Sequence, residues 1–189
     1  MSKLWITADT HYSHKNICGP SVSSWDAGYR DYDSVKNMDD AIVESFNSRI
    51  AAEDTIYHLG DWSFGGKPKI AEFMDRLTCK NIVLIWGNHD YNIRKYNRDL
   101  FMETHHLLNR KLCGKRFVLC HYSMQVWEAS HRGVLHCFGH SHHSIEGVGK
   151  SMDVGWCGFR KPLEVEEVIS ILDTKEIAFL DHHDKRTDP

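Results

Sequence analysis

Seven side chains of metal-binding type fall in five short segments: Asp9 with His11, Asp61, Asn88, His121, and His140 with His142. Each segment follows an apolar run and opens a loop, so side chains far apart in sequence can meet at one sheet edge. A carboxylate such as Asp61 has two oxygens and can bridge two cations. The amide oxygen of Asn88 is a neutral, hard ligand, and His11, His121, His140 and His142 add imidazoles. Mixed nitrogen and oxygen ligation without thiolate suits Mn, Fe, Zn, Co or Ni and disfavours a cysteine-rich structural zinc site. Two such ions about 3.5–4 Å apart can hold a hydroxide between them and stabilise an in-line phosphoryl displacement. The chemistry this set points to is hydrolysis of phosphate esters.

The elements that must position these residues are legible in the hydrophobic pattern. Residues 3–8 form a short apolar run ending at Asp9 and predict a first strand. Residues 10–33, with Gly19-Pro20, several serines and Gly28, predict a long functional loop. Val35, Met38, Ile42, Val43, Phe46 and Ile50 recur at helical spacing and predict a helix over 34–50, capped by Asp33 or Ser34. A strand over 55–59 runs into Gly60-Asp61. Pro68 opens a helix to about residue 77, and the continuous apolar strand 81–86 ends at Gly87-Asn88-His89-Asp90. A short charged helix over 91–98 follows. Beyond it the pattern turns to strands: 107–112 and 116–120 around a Cys113-Gly114 hairpin turn, then 134–138 and 152–156. The spacing predicts a helix over 163–172, a last strand or irregular segment over 176–180, and a mobile charged tail over 181–189. Alternating β and α elements first and β-rich sequence afterwards imply an α/β fold, with two packed sheets and helices outside.

The chain has 189 residues, enough for one domain with a full core. A net charge of -3 argues against a general nucleic-acid coat or a membrane-surface protein, while leaving room for a local basic patch. Fourteen histidines are the unusual count, and several stand beside Gly, Asn or Asp. The six cysteines, Cys18, Cys79, Cys113, Cys120, Cys137 and Cys157, show no C-x-x-C pair. They are expected to be buried free thiols of a cytoplasmic protein. The N-terminus shows no secretory pattern, and no apolar run approaches the ~20 residues of a membrane span.

The five segments resemble the calcineurin-like metallophosphoesterase superfamily, whose pattern is D-x-H, G-D, G-N-H-[DE], H and G-H-x-H. Here these are Asp9-Thr10-His11, Gly60-Asp61, Gly87-Asn88-His89-Asp90, His121 and Gly139-His140-Ser141-His142. The resemblance is to small bacterial or phage phosphoesterases and implies an αββα sandwich, two mixed β-sheets flanked by helices, with a domain over 1–180. It implies a first divalent ion on Asp9, His11, Asp61 and His142, and a second on Asp61, Asn88, His121 and His140, with manganese the preferred metal. A metal-bridging hydroxide would attack, and His89 would bind the phosphate and protonate the leaving oxygen. Asp90 would support the site without ligating. The Asp-Arg-Gly that phosphoprotein phosphatases of this superfamily carry after G-D is replaced by Trp62-Ser63-Phe64-Gly65-Gly66. A phosphoprotein substrate is therefore disfavoured, and a small phosphodiester, nucleotide-like, is favoured over a monoester.

Other residues leave alternatives open. His14 either touches substrate phosphate or faces solvent, and Arg94, with Lys95 and Arg98, either grips a second phosphate or forms a solvated helix face. His58 is expected in the core, and Trp62, Trp127 and Trp156 in packing rather than base stacking. The rival functions are a DNA or RNA nuclease with the same metals, and a non-catalytic scaffold that keeps the fold.

Overall fold

Nine strands form two sheets in a computed structural model that describes residues 2–19 and 29–181. In the first, β1 (Leu4–Thr7), β2 (Thr55–His58), β3 (Ile82–Ile85) and β4 (Glu103–His105) run parallel, and β9 (Leu163–Glu164) pairs antiparallel with β1. In the second, β5 (Leu107–Leu112) is antiparallel to β6 (Lys115–Cys120), which runs parallel to β7 (Leu135–Phe138), itself parallel to β8 (Ser151–Asp153). The orders are β4-β3-β2-β1-β9 and β5-β6-β7-β8. Both sheets are thus mixed. Parallel strands end on a common edge, so the residues after β1, β2, β3, β6 and β7 emerge close together.

Alternation along the strands builds two apolar layers. Trp5, Ile56, Ile82 and Leu84 face outward and pack on α1 (Val35–Asn47) through Met38, Ile42 and Phe46, and on α2 (Gly66–Arg76) through Ile70 and Phe73. Ile6, Tyr57, Val83 and Ile85 face inward against Phe117, Leu119, Leu135 and Cys137 of the second sheet. Val165, Val168 and Leu172 of α4 (Val165–Asp173) seal the same inner layer. Ser34 caps α1 by accepting from the Asn37 backbone N–H at 3.1 Å. The Cys113-Gly114 turn has φ of 45° and 84°, the paired positive values a two-residue hairpin needs.

Several elements depart from the sequence pattern. The segment read as a strand over 152–156 is a strand only to Asp153, and Trp156 begins a short helix, α3 (Trp156–Phe159). The helix expected from 163 starts at Val165, because Leu163 and Glu164 cover the otherwise open edge of β1. The expected 91–98 helix widens into a π turn over Ile93–Asn97 and a 3-10 turn over Arg98–Leu100. β4 is short and polar and carries no alternation that would have revealed it. Residues 176–180 are irregular. Cys113 is exposed at the hairpin tip, contrary to the expectation of burial, and Cys120 and Cys157 are half-buried. Pro20, Gly28 and the tail over 182–189 lie outside the described residues.

His136 illustrates the cost of a buried imidazole. Its Nδ1 donates to Val118 O at 2.8 Å and its Nε2 accepts from the Met124 backbone N–H at 3.2 Å, so both ring nitrogens are used by the neutral form. Burial lowers its pKa from 6.5 to about 4. The unfolded chain therefore binds more protons than the folded one between these values, and stability falls as pH drops from about 6.5 toward 4. From pH 7 to pH 5 this group alone should cost about 2 kcal/mol. Urea melts of the wild type and His136→Asn should show the pH loss shrinking by that amount in the variant. An unchanged loss would show that folding does not lower the His136 pKa.

Candidate metal centre

Asp9, His11 and His142 form one group of potential ligand atoms within 4.8 Å of one another, and Asp61, His121 and His140 form another. His11 Nε2 and His142 Nε2 are 3.2 Å apart. Asn88 Oδ1 is 3.0 Å from both His121 Nε2 and His140 Nδ1. Asp61 Oδ2 lies between the groups, 3.5 Å from His11 Nε2 and 3.6 Å from His121 Nε2. All seven residues singled out by type and spacing are thus brought together. His121 Nδ1 donates to Leu59 O at 2.7 Å, which leaves the Nε2 lone pair facing the cluster.

The backbone around them is held under strain. Asp9, His11, Asp61, His140 and His142 all have left-handed backbone, with φ between 47° and 66°. Each such residue costs on the order of 1 kcal/mol and persists only where its surroundings over-determine it. Asp90 supplies much of that restraint. Its fully buried carboxylate accepts from the N–H of Asp61 (2.9 Å), Gly87 (2.8 Å) and Trp62 (3.0 Å). Asp9 Oδ2 accepts from the His140 N–H at 2.9 Å, and Asp61 Oδ1 from the His89 N–H at 2.9 Å. The loops are therefore stitched together through the candidate ligands themselves.

The glycines before Asn88 and His140 permit this contact. A Cβ on Gly87 would stand 2.2 Å from Asp61 Oδ1, and one on Gly139 would stand 2.5 Å from Asp9 Oδ2. Both obstacles are pinned, so Gly87→Ala should displace Asp61 and destabilise the fold by about 2–4 kcal/mol. Thermal melts should show a Tm lower by about 5–15 °C. A wild-type Tm would mean the loops can part without cost.

Electrostatics supports cation binding. Burial, then the charges of Asp61 and Asp153, push the Asp9 carboxyl well above its usual range. Burial also raises Asp61, and with the charge of Asp61 lifts Asp90 to about 6. Burial holds the imidazoles neutral: His11 is well below its ordinary value, His121 falls to about 4 and His142 to about 3. Asp9 Oδ1 is buried with no hydrogen-bond partner among the described residues. Crowded carboxylates, neutral imidazoles and an unsatisfied oxygen are a donor set that lacks only positive charge. The residues fit divalent metal ions.

The other expected site residues divide. His89 is exposed at the mouth, its ring 5.7 Å from that of His11 and 4.7 Å from Phe64. His14 stacks on Phe64 at 3.5 Å, 6.5 Å from His89, and burial lowers its pKa to about 4. Arg94 is set apart from the cluster: its guanidinium lies 5.6 Å from the Trp86 ring, in an adjoining cleft. His58 is fully buried, with Nε2 2.9 Å from the Thr10 hydroxyl, which itself donates to Trp62 O. Trp62, Trp127 and Trp156 are in the core.

Four neighbours were not singled out in the sequence. Arg30, with no exposed surface, donates to Asp9 O and Thr10 O, both at 2.5 Å. Cys157 Sγ is 3.1 Å from His142 Nδ1, and Asp153 accepts from the His143 N–H at 3.0 Å and from the Ser141 hydroxyl. Tyr122 stands exposed, 4.9 Å from the His140 ring. Only Asp153 had a legible signal, an acid at a strand end two residues before a glycine. Among the described residues, no helix is long and apolar enough to cross a membrane.

Comparison with known proteins shows what the sequence and the fold are similar to. Over 114 residues the chain is 30% identical to an uncharacterized protein of Methanocaldococcus jannaschii, covering 56% of this chain and 59% of that protein. Over 94 residues it is 29% identical to the gene 66 protein of Mycobacterium phage L5, covering 48% and 41% respectively. The matched segments thus span about half the length of these relatives. Among solved structures, a protein of unknown function from Aquifex aeolicus shares the fold with a TM-score of 0.67 at 21% identity, covering 90% of this chain and 100% of that one. A structure described as a novel archaeal phosphodiesterase superposes with a TM-score of 0.50 at 18% identity, covering 83% and 86%. The model of the calcineurin-like phosphoesterase superfamily domain matches residues 3–155, from β1 through every candidate ligand, and the chain belongs to that superfamily.

Proposed function

We infer that the protein is a two-metal phosphoesterase acting on a small phosphodiester or phosphomonoester, with a nucleotide-like diester favoured. The observation that carries this reading is the position of Asp61 Oδ2, within 3.6 Å of a ring nitrogen on each side and so placed to be shared by two ions. Asp9, His11, Asp61 and His142 would hold one divalent ion and Asp61, Asn88, His121 and His140 the other, with manganese preferred over Fe, Zn, Ni or Co. Bound there, the ions would supply an activated water near neutral pH and positive charge to offset that of the phosphoryl oxygens.

The chain's own groups do the rest. Asp90 and Arg30 fix the backbone of the ligand loops, so the donors are in place before substrate arrives. The His89 N–H is tied to Asp61 Oδ1, which sets its ring at the open side of the cluster. From there the ring can bind a phosphoryl oxygen and deliver a proton to the leaving oxygen. His14 is neutral at pH 7 and would add a hydrogen bond to substrate rather than a charge. Arg30 is fully buried with its guanidinium on the Asp9 and Thr10 carbonyls, and among the described residues no other arginine contacts the cluster, which favours a diester, with one negative charge, over a monoester with two.

The test is a substrate panel on metal-depleted protein reloaded with Mn: p-nitrophenyl phosphate, bis-p-nitrophenyl phosphate, 2′,3′-cyclic nucleotides and single-stranded DNA. The expected result is fastest turnover of a small diester. Salt-sensitive cleavage of single-stranded DNA as the fastest reaction would favour the nuclease reading instead. No turnover of any ester with Mn, Fe, Zn, Co or Ni would overturn the enzymatic reading and leave the fold as a scaffold.

A further inference from the structure

Beside the metal centre is a second cleft, of about 340 Å³, lined by Trp86, Arg94, Arg98, Thr104, His105 and His106. Trp86, on the cleft wall, is two residues before the candidate ligand Asn88, so their Cα atoms are at most about 7 Å apart. Arg94 is one turn beyond Asp90, its N–H bonded to Asp90 O at 3.1 Å. The Trp86 N–H donates to His105 O at 2.8 Å and Leu107 pairs with Cys120, so the wall formed by His105 and His106 lies beside the strand ends that carry Asn88 and His121.

Its chemistry is cationic and aromatic. The π turn over Ile93–Asn97 buries Ile93 and Asn97 and leaves Arg94 and Arg98 exposed, four residues apart and on one side. Neither guanidinium forms an ion pair among the described residues. Arg98 Nε donates to Thr104 Oγ1 at 3.1 Å, which ties the guanidinium to the cleft wall. Arg94 lies over the nearly buried Trp86 ring. The nearest acid on the wall-forming strand, Glu103, is already engaged by Arg110 at 2.7 Å and by His105 at 2.8 Å. Elsewhere on this surface the basic residues are commonly paired: Lys36 and Arg76 with Asp40, Lys69 with Glu72, Arg116 with Glu128. Two guanidinium forks on one small cleft, without ion-pair partners among the described residues, are donors that suit an anion.

We propose that this cleft binds a second phosphate of the substrate, next to the one that is cleaved, so that the preferred substrate is a nucleotide diester carrying a further phosphate. The inference rests on the phosphoesterase reading of the adjoining centre. That further phosphate is either a terminal phosphomonoester or the next phosphodiester of an oligonucleotide. Arg94 and Arg98 would grip its oxygens and His106 would stand at the rim.

The experiment compares three diesters that release p-nitrophenol from the same scissile bond: thymidine 5′-(p-nitrophenyl phosphate), its 3′-phosphate, and its 3′-phosphodiester to a second thymidine. The Mn-loaded wild type should show kcat/KM higher by about 10-fold or more with the added phosphate, and the ratio should shrink as salt rises. The ratio should fall to about 2 in Arg98→Gln and to about 1 in the Arg94→Gln/Arg98→Gln double variant. A gain with the 3′-phosphate alone assigns the cleft to a terminal phosphate; a gain with both assigns it to an oligonucleotide backbone. A wild-type ratio near one, or a ratio the double variant does not move, overturns the inference while leaving the phosphoesterase reading standing. Calorimetric affinities of thymidine 3′,5′-bisphosphate and thymidine 5′-monophosphate provide the same ratio without turnover. If nothing is hydrolysed, the phosphoesterase reading fails and the affinity ratio alone decides the cleft.

Discussion

Asp61→Asn should reduce turnover by about 10³-fold or more and lower bound manganese from two ions per chain to one or none. The reasoning is geometric. Asp61 Oδ2 faces His11 on one side and His121 on the other, while Oδ1 is occupied by the His89 N–H. An amide would keep the Oδ1 contact and the approximate shape, but remove the negative charge that two neighbouring dications would share. Burial alone already works against the charged form of Asp61, raising its pKa. The metal-free variant should therefore be at least as stable as the metal-free wild type, while losing the stabilisation that added manganese provides. Metal analysis, turnover and thermal melts with and without Mn test this together. Two tightly bound ions in the variant would show that another residue bridges them.

His89→Asn should leave metal content unchanged and slow hydrolysis by about 10²–10⁴-fold on substrates that release a nucleoside alcohol. Its backbone N–H, which positions Asp61, survives the substitution, and the exposed ring makes no side-chain hydrogen bond among the described residues. The loss should depend on the leaving group. An alkoxide needs a proton as the bond breaks, whereas p-nitrophenolate leaves readily without one. The penalty on bis-p-nitrophenyl phosphate should therefore be clearly smaller than on a dinucleotide. Equal penalties on both would assign His89 to phosphate binding rather than proton delivery. An undiminished rate on both would remove it from the reaction.

The elements that carry the site were largely readable from the chain. Val35, Met38, Ile42 and Phe46 marked α1, and the apolar run before Gly87 marked β3, because burial of one face leaves a periodic trace. The elements that were misplaced lack such a trace. β4 is polar, and β9 is two residues long and exists because β1 has an open edge there. The π turn over Ile93–Asn97 arises where a helix is wedged between α2 and the ligand loops, a packing matter with no local signature.

The seven candidate ligands and the order of their five segments were legible in residue type and spacing, since few side chains can bind hard cations and these stand where strands end. Their mutual geometry was decided only when the sheets packed. Left-handed backbone at Asp9, His11, Asp61, His140 and His142 is unfavourable locally and survives because Asp90, Arg30 and the glycine contacts come from other parts of the chain. Arg30, Cys157 and the Arg94–Arg98 cleft likewise owe their surroundings to distant segments. No neighbouring residue in the sequence records that a guanidinium will be buried under Asp9 or left unpaired beside Trp86.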